Sequence, residues 1–175
     1  MGVVVVILVG AVIAVFLLTA LIGAPYVPTR RRESREAFTK LRPLKHTDVV
    51  LDIGSGDGAV LSEVCAQGAG AVGYEINPIL VALARWRLRK YGDQCRIVVR
   101  DFWRTPFPDD TTVVYTFGDS RDIRKMYAKV ASEAARLGRP LDFVSYAFEV
   151  AGEKPIKTHR AHHLYKVSAL HSEVA

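Results

Sequence analysis

Asp52-Ile53-Gly54-Ser55-Gly56-Asp57-Gly58 is the part of the chain best suited to chemistry. Three glycines in five residues let a backbone turn tightly and come close to a ligand. Acidic residues follow at telling intervals. Glu75 stands 19 residues after Gly56, where a carboxylate is placed to accept both hydroxyls of a ribose. Asp101, followed by Phe102 and Trp103, is placed to hydrogen-bond an adenine that packs against Phe102. Trp103 itself reads as packing. The sign of the charge narrows the ligand. A dinucleotide loop reads G-x-G-x-x-G and offers its helix N-terminus to a pyrophosphate. Here the loop is G-x-G-x-G, with Asp52 two positions upstream. A carboxylate there repels phosphate but suits the cationic amino-acid end of S-adenosyl-L-methionine. No G-K-[ST] follows, which excludes a Walker-type nucleotide site.

The elements that must position these residues alternate between strand and helix. Asp48–Ile53 is a short, nearly continuous apolar run that reads as a buried strand. A helix from about Ala59 to Gln67 stops at Gly68, and Ala71–Glu75 is a second strand. Asn77-Pro78 starts a helix running to about Tyr91, with Asn as N-cap and Pro at its first position. Arg96–Arg100, Thr112–Phe117 and Leu141–Tyr146 read as further strands, with a helix from about Asp122 to Leu137. Leu164–Val167 reads as an edge strand. This order predicts an α/β fold, a Rossmann-like, doubly wound, mainly parallel sheet with right-handed crossovers. The strands visible in the sequence are fewer than seven.

The composition is ordinary for a globular chain, 50% hydrophobic and 24% charged, which excludes a disordered, collagen-like or disulfide-scaffold protein. It is not evenly spread. Residues 1–24 contain no Asp, Glu, Lys or Arg. Val3–Ile22 is an apolar run long enough, at about 1.5 Å per residue, to span a hydrocarbon core of about 30 Å as one N-terminal transmembrane helix. No basic n-region precedes it, and Leu21–Pro25 is a poor cleavage site, so the run reads as an anchor rather than a signal peptide. Arg30, Arg31, Arg32, Arg35, Lys40, Arg42 and Lys45 follow. By the positive-inside rule the remainder lies on the cytoplasmic side of a single-pass membrane protein, with the mitochondrial inner membrane as the alternative. Arg30–Arg32 are suited to anionic lipid headgroups. Much of the net charge of +6 sits here, so it does not point to nucleic acid. Three segments are expected: an anchor over 1–24, a basic juxtamembrane segment and helix over 25–47, and the catalytic domain over 48–175. The Glu33–Leu41 stretch reads equally well as a solvated helix face. Cys65 and Cys95 read as buried thiols. His159, His162 and His163 lack a carboxylate or Cys partner, so no metal site is expected.

The motifs V-L-D-I-G-S-G-D-G, G-Y-E-I-N-P and D-F-W, in that order behind the anchor and Pro25-Tyr26-Val27-Pro28-Thr29, resemble the class I S-adenosylmethionine-dependent methyltransferases. The likeness is closest to small membrane-anchored protein-lysine methyltransferases, among them the mitochondrial enzymes that act on ATP synthase and on the adenine nucleotide translocase. The resemblance implies that Asp52, Gly54 and Gly56 line the methionine end of the cofactor, with Glu75 on the ribose and Asp101 and Phe102 on the adenine. Tyr26 to Thr29 would fold over the cofactor from the membrane side. Ser55 and Asn77 complete the candidate cofactor set. After the fourth strand the sequence Phe117-Gly118-Asp119-Ser120 departs from the Val-Pro of the eukaryotic relatives.

The implied reaction is in-line attack of a nucleophile on an activated methyl, so the protein supplies alignment and desolvation. Asp119 is the candidate to orient an incoming ammonium. Tyr115, Tyr146 and Thr116 are further candidates at neighbouring strand ends. The expected partner is a membrane protein with an accessible lysine. Two alternatives stay open: a lipid or small-molecule methyltransferase, and a non-catalytic membrane-tethered cofactor-binding module.

Overall fold

The computed structural model describes residues 2–22, 31–118 and 120–168. Seven strands form one sheet: β1 (Val49–Ile53), β2 (Gly70–Glu75), β3 (Cys95–Val99), β4 (Val113–Thr116), β5 (Leu141–Tyr146), β6 (Lys157–His159) and β7 (His162–Val167). Their order is β3-β2-β1-β4-β5-β7-β6. The first five are parallel; β7 runs antiparallel to β5, and β6 antiparallel to β7. The sheet therefore has one strand, β6, beyond the six runs read in the sequence. β6 is only three residues long and mostly exposed, so no apolar alternation marks it. β7 is longer than expected because His162 and His163 belong to it, and β6 rather than β7 is the edge.

The helices are α1 (Gly2–Ile22), α2 (Arg31–Glu36), α3 (Ala59–Ala66), α4 (Pro78–Leu88) and α5 (Ile123–Leu137). One sheet face carries α3 and α4. Val50, Ala71, Val113 and Val144 pack there against Val60, Leu61, Val64, Val81 and Ala84. The other face carries α5, with Leu51, Val114 and Phe143 against Ile123, Met126 and Val130. No helix follows β3 or β5, so the winding is lopsided. Cys65 and Cys95 are free and buried.

Residues 31–41 are not a solvated face. The π-helical segment Ala37–Leu41 buries Ala37, Phe38 and Leu41 in the first core cluster. Phe38 stands 5.5 Å from the Tyr115 ring, centroid to centroid. The Phe38, Leu41 and Ala37 contacts cross a boundary at residue 48, so part of the basic segment belongs to the domain core. Its ends are pinned too. Glu36 meets His159 Nε2 at 2.9 Å, Arg32 at 3.1 Å and Arg160 at 2.7 Å, and this cluster holds its carboxyl down at about 2. At the other end Arg42 bridges Asp48 (2.6 Å) and Asp142 (2.7 Å). Phe38→Ala is expected to cost about 3–5 kcal/mol, as for other buried aromatic deletions, measured by denaturant unfolding. A cost under ~1 kcal/mol would place the segment outside the cooperative unit.

α1 is a 21-residue helix with no charged residue. Its side chains are described only at residues 2–11, 13 and 14. Among the described residues no helix is long and apolar enough to cross a membrane. Residues 2–14 account for about 20 Å of the ~30 Å required.

Candidate functional site

The parallel register brings the ends of β1, β2 and β3 to one edge of the sheet. Asp52 pairs with Gly73, and Glu75 with Val99. The strand order reverses between β1 and β4, and it is outside the carboxyl ends at such a reversal that open α/β sheets bind ligands. Asp52 and Glu75 also share a face. Each lies an even number of residues from a neighbour in the first core cluster, Val50 for Asp52 and Ala71 for Glu75.

The loop after β1 is built by backbone bonds to β2. Gly54 and Ser55 N–H both donate to Tyr74 O, at 2.9 and 3.2 Å. Gly54 has φ +72° and is exposed, and a Cβ there would meet nothing within 4 Å. The surface over the loop is therefore open. Gly58, at φ +76°, serves packing instead: a Cβ would come within 3.0 Å of Ala84 and Leu88, so α3 and α4 touch through it.

Glu75 is the bracket of the site. One carboxylate oxygen accepts from Gly56 N–H at 2.9 Å and the other from Asn77 N–H at 2.8 Å. It thus ties the glycine loop to the start of α4, and each oxygen keeps a lone pair for a ligand hydroxyl. Asp52 is the opposite case. Its side chain is 3% exposed, and among the described residues no hydrogen bond or ion pair reaches its carboxylate. Burial, then the negative Glu75, then Asp57 push its carboxyl well above the ordinary range. Asp57 is itself paired with Arg87. A buried carboxyl that no cation among the described residues pairs with, beside an open glycine loop, fits the positive end of a bound ligand. The residues thus suit S-adenosyl-L-methionine: the Asp52 carboxyl could take a positive group, and the Glu75 oxygens keep lone pairs for a ribose.

Other expected residues fall differently. Ser55 does not offer its side chain: the hydroxyl is buried without a partner and fills the space over Gly73, 2.5 Å from where a Cβ would stand. Asn77 caps α4, its Oδ1 accepting from Ile79 and Leu80 N–H, and its own N–H donates to Glu75. Asp101 reaches the same sheet edge, but its Oδ1 accepts from Trp103 N–H at 3.0 Å and caps the turn that follows. Phe102 stacks on Trp103, centroids 4.2 Å apart, and leans on the second core cluster, the face away from Asp52. Tyr115 is corrected from a catalytic to a core residue. It is 1% exposed and its hydroxyl lies 3.2 Å from His162 Nε2. Thr116 is buried on the α5 side, its hydroxyl on the Met126 sulfur. Asp119 and Tyr26 lie outside the described residues.

The three histidines are engaged separately: His159 with Glu36, His162 with Tyr115, His163 with Glu149 and Thr158. Burial, with His159 and His163 nearby, lowers His162 to about 4, so its ring is neutral. Tyr146, a candidate from its strand end, has two neighbours that the sequence did not pair with it: Phe117 (4.7 Å) and His162 (4.6 Å). The only sequence signal of the Phe117 and Tyr146 pair was two aromatics, each at the end of a strand.

Residues 52–157 match the family described as the ANTKMT methyltransferase domain. The chain is 35% identical over 111 residues to the ATP synthase C-subunit lysine N-methyltransferase of Xenopus laevis, covering 62% of this chain and 48% of that protein. With the Homo sapiens protein of the same name the identity is 31% over 111 residues, covering 62% and 46%. The match thus spans about half the length of these curated relatives. Among solved structures, an RNA methyltransferase from Salinibacter ruber in complex with S-adenosyl-L-homocysteine superposes with a TM-score of 0.71 at 24% identity, covering 81% of this chain and 94% of that one. That likeness shows the fold. A family match over more than half of the residues, on a seven-stranded sheet with the acidic strand ends in place, makes this chain a member of the S-adenosylmethionine-dependent ANTKMT methyltransferase domain family.

Proposed function

We propose that the chain is a protein-lysine N-methyltransferase acting on a membrane-associated protein. The observation that carries the reading is Asp52, a buried carboxyl that pairs with no cation among the described residues, at the mouth of a glycine loop. The lysine specificity is supported by the relatives named as lysine N-methyltransferases. When bound, S-adenosyl-L-methionine supplies a methyl group on a cationic sulfur. The protein's part is alignment and exclusion of water. Asp52 would hold the donor's charged end, Glu75 ties the loop and would hold the ribose, and the acceptor would approach from the strand ends of β4 and β5. A free lysine has a pKa of about 10.4, and apolar surroundings lower it toward release of its proton.

The membrane part of the proposal rests on α1. Its 21 residues carry no charge, and Val3 to Val9 are each more than half exposed, which water disfavours. As a span, α1 would leave the domain on the side of the basic residues that follow it, the cytoplasmic side. Arg30–Arg32 would then lie against anionic headgroups. The mitochondrial inner membrane is the alternative location.

The test is incubation of the full chain with methyl-labelled donor and membrane fractions. Label is expected in protein, recovered as methyl-lysine after hydrolysis. Label confined to lipid, RNA or small molecules would overturn the lysine reading.

A further inference from the structure

We propose that Phe117 and Tyr146 form the niche for the acceptor's amine, two aromatic rings that hold a lysine's ammonium end beside the cofactor site. This rests on the lysine reading above. Phe117 follows directly on β4, and Tyr146 is the last residue of β5. Their rings meet edge to face, centroids 4.7 Å apart at 77°. Both are half-buried, so each ring keeps surface open, unlike Tyr115 and Phe38 in the core beneath them.

The register places the pair next to Asp52. Tyr115 is the β4 neighbour of Asp52, and Phe117 stands two residues further on the same face. Val144 is the β5 neighbour of Tyr115, and Tyr146 stands two residues beyond it. The rings thus sit one and two strands over from the carboxylate that would face the donor's charge, across the reversal in strand order. Ala147, at φ +71°, turns the chain away immediately after Tyr146.

Behind Tyr146 the His162 ring is 0% exposed, its Nδ1 has no partner, and it carries no charge. The neutral His162 thus places no positive charge behind Tyr146. A ring face attracts an ammonium through its quadrupole, and methylated ammonium is attracted as well. The niche would thus accept lysine and retain its partly methylated forms, while a neutral hydroxyl acceptor gains nothing from it.

The experiment uses the full chain, methyl-labelled donor and a membrane fraction from cells lacking the protein, titrated as acceptor. Phe117→Ala, Tyr146→Ala, Tyr146→Leu and Tyr146→Phe are compared with wild type for acceptor KM and, by calorimetry, for donor affinity. Both alanine variants and Tyr146→Leu should raise the acceptor KM about tenfold. Tyr146→Phe, which keeps the ring, should stay within about twofold of wild type, and donor affinity should not move in any of them. Trimethyl-lysine should fall relative to monomethyl-lysine in the leucine variant. Tyr146→Leu behaving as wild type, or donor affinity falling in step with acceptor KM, would overturn the niche. Wild-type product without methyl-lysine would instead overturn the lysine reading, and the niche with it. Thermal unfolding of Tyr146→Leu and Tyr146→Phe at matched midpoints separates loss of the ring from loss of the fold.

Discussion

Asp52→Asn is expected to yield a protein that is more stable and binds its cofactor worse. The carboxylate is buried, lacks a hydrogen bond among the described residues, and feels Glu75 and Asp57 as like charges. Neutralising it removes a cost on the order of 1 kcal/mol, which for a chain of this size is a rise of roughly 2–4 °C in midpoint. Donor binding should weaken roughly 10–100-fold, the loss of a charge-assisted contact worth about 1.5–3 kcal/mol. The pH dependence has a fixed sign. The folded-state pKa lies above the unfolded one, so between the two the native state holds the extra proton. The stability of the cofactor-free protein therefore falls as pH rises from the ordinary aspartate value through Asp52's raised one. Binding of a cationic donor selects the ionised form and releases a proton within that window. Calorimetric heats measured in buffers of different ionisation enthalpy should reveal it. Buffer-independent heats, or a less stable Asn variant, would refute this account of Asp52.

Glu75→Ala should do the reverse to stability while also abolishing binding. Removing this carboxylate leaves the Gly56 and Asn77 N–H groups without acceptors in a buried setting. Each orphaned donor costs about 1–3 kcal/mol, so a loss of about 2–4 kcal/mol is expected from denaturant unfolding. Glu75→Gln is nearly the same shape but is not benign. Its carbonyl serves one N–H, while its amide NH2 confronts the other. It should destabilise by about 1–2 kcal/mol and weaken donor binding about tenfold or more. Two carboxylates of one site thus separate by the sign of their effect on folding. A Glu75→Ala protein as stable as wild type would show that the loop is held by other means.

These opposite roles mark the limit of what residue types reveal. The acidic strand ends and the glycine loop were legible because strand, turn and helix starts are written locally: apolar run, Gly-rich turn, Asn-Pro cap. That Glu75 accepts two backbone N–H groups while none among the described residues reaches the Asp52 carboxyl depends on backbone N–H directions, which no spacing encodes. Ser55 looked like a ligand contact because it sits between two glycines; only the packing over Gly73 shows where its hydroxyl points. Tyr115 looked like an available hydroxyl because it lies near a strand end, and the buried His162 opposite it comes from 47 residues away. The short β6 and the histidines opening β7 carried no apolar alternation, so β6 and the first two residues of β7 went unseen. The 37–41 segment hid its core residues between two arginines, of which Arg35 stays exposed while Arg42 turns inward onto Asp48 and Asp142.

That same segment sets an order on assembly. Arg42 closes on Asp142, a hundred residues downstream, and Glu36 waits for His159 and Arg160. During synthesis the first part of the domain to leave the ribosome is therefore among the last to find its partners. Long-range closures of this kind slow folding. Phe38 can close on Tyr115 once β4 is made, but the ion pairs of Glu36 and Arg42 wait for β5 and the final hairpin, a window in which chaperone capture competes with completion.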